Sequence, residues 1–122
     1  MRKLISIIIS TTLTMLLVGG SAWAAKPSVG FIYVGPVGDG GWTHAHDLGR
    51  KALEEAGHKT YFVESVPEGS SEGQILKIAR KSDIIFTTSF GFMDPTLKVA
   101  KKFPDKVFLH CSGRSEEHTS EL

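Results

Sequence analysis

Four short apolar runs recur along the chain. They are separated by stretches whose apolar residues return every three or four positions. Residues 29–34 (V-G-F-I-Y-V) are almost continuously apolar, as expected of a strand covered on both faces. A glycine-rich turn follows. Ala45, Leu48, Ala52 and Ala56 then recur at helical spacing, and Gly57 is a suitable residue to end that helix. Residues 59–64 (K-T-Y-F-V-E) read as a second strand and 67–70 as a loop. Ser71-Glu72-Gly73-Gln74 reads as a capping box opening a second helix, with Ile75, Leu76, Ile78 and Ala79 on its apolar face. Residues 83–88 (D-I-I-F-T-T) form a third strand and 89–93 a second loop. Asp94 as N-cap and Pro95 at the first helical position open a third helix, with Leu97, Ala100 and Phe103 as its inner stripe. Lys98, Lys101 and Lys102 favour its C-terminal end, Pro104 stops it, and 106–111 (K-V-F-L-H-C) is a fourth strand.

The order is β-α-β-α-β-α-β. Crossovers of this length predict the α/β class: a parallel doubly wound sheet of order 2-1-3-4, with right-handed connections. In that order strands one and three are neighbours. The loops at their carboxyl ends, 35–43 and 88–94, therefore meet at one rim, at the topological switch point where open α/β sheets bind ligands.

The ends of the chain narrow what counts as domain. Met1-Arg2-Lys3 is basic, 4–20 is apolar, and Ala22-Trp23-Ala24 is a small-x-small site. This pattern predicts a secretory signal peptide over 1–24, cleaved after Ala24. The apolar run carries Ser10, Thr11, Thr12 and Thr14, which makes it short and polar for a spanning helix. No cysteine follows it, so no lipid anchor is expected. At the other end, 114–122 (R-S-E-E-H-T-S-E-L) has no apolar periodicity and matches, codon for codon, the translation of a common sequencing adapter. It is read as a non-native tail. Residues 25–113 remain, roughly 90 residues and one modest domain. The whole chain carries 14 Lys+Arg against 13 Asp+Glu, net +1, which gives no reason to expect nucleic acid as a partner. Cys111 is the only cysteine, so no internal disulfide can form.

The chemistry is concentrated on the two rim loops. Gly35, Gly38, Gly40 and Gly41 do not fit G-x-G-x-x-G, and no Walker lysine follows. Trp42 sits at the mouth of the turn, where it can either cover the core or stack on a flat ligand. His44 and His46 raise a metal-dependent hydrolase as an alternative. Two residues apart, however, they point to roughly opposite helix faces, whereas paired helical ligands sit at i, i+4. One of them can instead hydrogen-bond a ligand. Asp39 and Asp94 can accept hydrogen bonds from ligand N–H or O–H groups, or serve only as turn former and helix cap. No nucleophile pattern is present, and the chain is not expected to be an enzyme.

Several segments together resemble one family. G-P-V-G-D-G-G-W-T-H-A-H-D-L-G-R, V-E-S-V-P-E-G and I-I-F-T-T-S-F-G-F-M-D-P-T-L-K-V-A-K-K-F-P are similar to the basic membrane proteins, substrate-binding proteins of ABC importers. The likeness spans 28–112. It implies a type I periplasmic binding protein fold, of which this chain is part of the N-terminal lobe. It implies a small-molecule ligand, a membrane permease as partner, no cofactor, and a monomer at full length. Characterised members bind purine nucleosides, and some relatives bind adenine. By resemblance, Trp42 falls where the family often stacks a phenylalanine on the purine. Thr43 falls where nucleoside binders often carry an asparagine. Asp39 and Asp94 match acidic residues of the two loops. A wider stacking surface and a smaller polar partner suit a bare purine. The implied ligand set is Asp39, Gly40, Trp42, Thr43 and His46 with Ser89, Phe90, Gly91, Phe92 and Asp94. The implied location is the periplasm, in freely soluble form. A ligand-sensing regulator of the same fold is the other alternative, and the export signal speaks against it.

Overall fold

The computed structural model describes residues 24–113. The predicted leader, apart from Ala24, and the predicted tail lie outside the described residues. Four strands alternate with three helices: β1 (Val29–Ile32), α1 (Trp42–Glu55), β2 (Thr60–Val63), α2 (Ser71–Ala79), β3 (Ile84–Thr87), α3 (Met93–Ala100) and β4 (Val107–His110). Short 3₁₀ turns, Glu68–Ser70 and Phe90–Phe92, lead directly into α2 and α3. All strand pairs are parallel, in the order β2-β1-β3-β4 expected from the sequence. Each strand is shorter than its apolar run, although ladder bonds continue past its end, as from Tyr33 N–H to the Val63 carbonyl.

The register sets Phe31 between Phe62 and Phe86, and Ile32 between Val63 and Thr87. One sheet face is sealed by α2 and α3. There Ile32, Ile75, Ile78, Ala79, Ile85, Phe92 and Val99 form the main buried core. Gly30 allows α2 to approach β1, because a Cβ at this position would lie 2.1 Å from Ile78 Cγ2 and 2.6 Å from Ser82 Oγ. The other face carries Val29, Phe31 and Tyr33. Phe31 stacks on Phe86 with 5.1 Å between ring centroids.

Helix α1 covers that second face with polar residues. Thr43, Asp47 and Arg50 are its buried side chains, while Ala45, Ala52 and Ala56 are exposed and Leu48 is 53% exposed. The stripe that predicts this helix is therefore not the one that packs. Arg50 instead lies 4.5 Å over the Phe62 ring. It bonds Asp47 at 2.6 Å and Glu54 at 2.7 Å, and Asp47 accepts a long bond from the Tyr33 hydroxyl at 3.4 Å. Burial opposes ionisation of Asp47, but Arg50 and Lys51 outweigh it and hold its carboxyl below the usual range. Burial, and then the Asp47 charge, push the Tyr33 phenol well above its ordinary value.

Three local expectations are corrected. Ser71 is not the N-cap of α2. It is the first helical residue, and its hydroxyl donates to the Glu68 carbonyl at 2.8 Å, because the 3₁₀ turn already supplies the helix start. Asp94 likewise does not cap α3. Phe92 occupies the cap position without a side-chain bond, and Asp94 is already within the first turn. In α3 the inner residues are Thr96 and Val99, whereas Leu97 is 56% exposed. The continuous passage from 3₁₀ turn to helix rotates the inward face away from the spacing read for a helix beginning at Pro95.

Candidate functional site

The carboxyl ends of β1 and β3 carry the two unusual loops, as the strand order requires. In the first, Val37 N–H donates to Glu64 Oε2 at 2.6 Å, which ties the loop to the end of β2. Asp39 then turns its carboxylate onto the start of α1. Oδ1 accepts from Gly41 N–H at 2.8 Å and His44 N–H at 2.9 Å, and Oδ2 accepts from Thr43 N–H at 2.9 Å. These backbone bonds, that from Gly41 first, draw the Asp39 carboxyl down to about 2. The N–H groups a ligand anion would use at this helix start are thus occupied by the protein's own carboxylate.

Trp42 is the first residue of α1. Its indole Nε1 donates to the Thr88 carbonyl at 2.6 Å, and its ring lies 4.6 Å from that of His46, tilted by 55°. His46 Nδ1 pairs with the Trp42 carbonyl at 2.8 Å. Held in this way, the indole remains 49% exposed. Thr43, the next residue, is fully buried. Its hydroxyl has no partner and faces Gly35, whose Cβ would come within 3.1 Å. It does not present a hydroxyl on the open rim. Gly40 is exposed, with open space around it.

In the second loop, Thr88 folds back on β1: its hydroxyl donates to the Ile32 carbonyl at 3.0 Å. Ser89 Oγ and Gly91 N–H both donate to Glu68 Oε1, the latter at 3.2 Å. Phe90 is 58% exposed on the rim, whereas Phe92 is fully buried in the main core. Phe92 is thereby corrected from ligand contact to core residue, since the tight 3₁₀ turn sends the two phenylalanines to different sides. Its carbonyl accepts from Thr96 Oγ1 at 2.6 Å. Thr96 continues through Thr87 (2.9 Å) to His110 Nδ1 (2.6 Å), which braces the loop from behind. Burial lowers the His110 pKa. Asp94 stands exposed at the loop's end.

His44 and His46 each place Nδ1 on a different backbone carbonyl, that of Val37 and that of Trp42. Among the described residues no group of three His, Cys, Asp or Glu side chains is placed to hold a metal.

Sequence reasoning missed Glu64 and Glu68. Glu64 directly follows β2, the strand beside β1, and Glu68 directly follows Pro67 in the same connection; that position was the available signal. Together the segments 33–44, 64–71 and 88–94 carry Asp39, Glu64, Glu68 and Asp94, and contain no lysine or arginine.

The parallel doubly wound sheet brings two loops together at its switch point, joined at a half-exposed indole. A family profile described as ABC transporter substrate-binding protein, PnrA-like (Bmp), matches residues 26–120. The chain belongs to this family of ABC transporter substrate-binding proteins, as the sequence resemblance implies. It is 56% identical over 108 residues to a purine-binding protein of Brucella abortus, covering 84% of this chain and 31% of that one. It is 36% identical over 98 residues to a Haloferax volcanii protein named as a putative ABC transporter glucose-binding protein, covering 78% of this chain and 25% of that one. The chain thus spans about a third or less of the length of these relatives. Among solved structures, a solute-binding protein of an ABC transporter system from Conexibacter woesei shares the fold. It has a TM-score of 0.63 and 24% identity, with 68% of this chain and 28% of that one covered.

Proposed function

We propose that the full-length protein is the periplasmic solute-binding component of an ABC importer. It holds a purine base or nucleoside at the β1–β3 rim and delivers it unchanged to a membrane permease. The observation that carries this reading is the Trp42 indole: half exposed, aimed by Thr88 and His46, and set between the two loops. A rigid indole offers a large contact area for a flat ring at little entropic cost. The bond to Thr88 and the contact with His46 hold the ring in place at the rim, where a planar ligand can stack on it. The name of the 56% identical relative supports the same ligand class. A rim of four carboxylates without a fixed cation favours neutral, N–H-bearing ligands over anions.

Phe90, exposed on the second loop, is a further apolar contact, and Asp94 an acceptor for ring or exocyclic N–H groups. The test is calorimetry of the full-length protein with adenine, adenosine, guanosine and inosine, and with glucose as the contrast drawn from the other relative's name. Purine binding with no glucose binding supports the proposal; the reverse refutes it. Export, with the leader over 1–24 removed, belongs to the same reading. It predicts a mature N-terminus at Ala25 in periplasmic material, read by N-terminal sequencing, and a Met1 start retained in membranes would contradict it.

A further inference from the structure

We propose that Glu68 is a positioning residue for the ligand rim: its carboxylate clamps the second loop and, through it, the Trp42 platform. This rests on the reading of the rim as a purine site. Glu68 lies on the 3₁₀ turn after β2, yet it reaches a loop 21 to 23 residues further along the chain. Its Oε1 accepts from Ser89 Oγ and from Gly91 N–H, so one oxygen gathers two donors of the loop. Those donors flank Phe90, the loop's exposed aromatic. Ser89 directly follows Thr88, whose carbonyl receives the Trp42 indole. A continuous set of bonds therefore runs from Glu68 through the loop to the platform.

The fit is close on both sides. A Cβ at Gly91 would lie 2.1 Å from Glu68 Cδ and 2.3 Å from Oε2. The carboxylate therefore occupies the space a side chain would need, and an alanine at Gly91 would have to push the end of the Glu68 side chain aside. The turn that carries Glu68 is itself held, since the Glu68 carbonyl accepts from Ser71 Oγ and the Pro67 carbonyl from Ser70 N–H. Hydrogen bonds to a charged acceptor are the stronger class, and no cation competes for this carboxylate among the described residues.

The test uses the full-length protein with Glu68→Ala, Glu68→Gln, Gly91→Ala and the double variant Glu68→Ala/Gly91→Ala. Amide hydrogen exchange at Gly91 reads the clamp, and calorimetry with adenine and adenosine reads the site. Glu68→Ala should speed Gly91 exchange about tenfold or more, as loss of a charge-assisted bond requires, while Ile32 exchange is unchanged. Purine affinity should fall about tenfold. Glu68→Gln keeps an acceptor oxygen and should stay within about threefold of wild type. Gly91→Ala should disturb the loop while Glu68 is present and do so far less in the double variant, because the clash partner is gone. Unchanged Gly91 exchange in Glu68→Ala, or additive effects in the double variant, would overturn the clamp. If wild-type protein binds no purine, the ligand reading fails by itself, and Gly91 exchange still decides the role of Glu68.

Discussion

Trp42 donates its indole N–H to the carbonyl oxygen of Thr88 across 2.6 Å, joining two loops that lie 46 residues apart in the chain. The bond fixes the plane of the largest exposed side chain at the rim relative to β3. Trp42→Phe retains an aromatic face and removes the tether. It should weaken purine binding by about 0.5–1.5 kcal/mol, the net worth of one hydrogen bond, with the fold intact by circular dichroism. A loss as large as that from removing the ring entirely would mean that the tether, not the stack, carries the site.

Asp39 gives α1 an acid-sensitive start. Its folded-state pKa of about 2 lies below the usual carboxylate value near 4. The stability it contributes is fully present above that ordinary value and is lost as pH falls through about 2. Melting temperature measured between about pH 5 and pH 2 should therefore fall less steeply for Asp39→Asn than for wild type. Identical slopes would show that the carboxylate is not bound to the helix start in solution.

The pair Asp47–Arg50 is buried beneath α1. Removing one partner leaves the other with a single, partly exposed ion pair, Arg50 with Glu54 or Asp47 with Lys51, so Arg50→Met or Asp47→Ala should cost about 1–3 kcal/mol in urea unfolding. Tyr33→Phe removes only a 3.4 Å bond and should cost under about 1 kcal/mol.

These predictions mark where the sequence was legible. The alternation of strands and helices followed from four apolar runs with helical stretches between them, and the doubly wound arrangement then sets the order, although only β1 is buried along its whole length. The seat of α1 did not follow. Asp47 and Arg50 lie off the apolar stripe that marks the helix, and their burial depends on Tyr33, Glu54, Thr60 and Phe62, which satisfy them from other parts of the fold. The division of labour between Phe90 and Phe92 was equally hidden, since two aromatics two positions apart in a tight turn do not declare which one faces inward. Trp42 could be placed on the rim from topology. That Thr43, its neighbour, is buried depends on how α1 tilts against Gly35, which no local pattern encodes.

Charge should also select the ligand. Asp39, Glu64, Glu68 and Asp94 surround the rim, and the Asp39 carboxylate already fills the anion-binding start of α1. Adenosine 5′-monophosphate should bind at least about tenfold more weakly than adenosine, with the gap widening at low ionic strength as screening is removed. Equal affinity in competition calorimetry would place the phosphate away from these carboxylates.

The stacking platform itself is tested most directly by calorimetry of full-length wild-type and Trp42→Ala protein with adenine and adenosine. Wild type should bind a purine, and Trp42→Ala should bind it more weakly by roughly 1–3 kcal/mol, the worth of one base–aromatic stack. Absence of purine binding, or an unchanged affinity in a folded Trp42→Ala protein, would contradict the account.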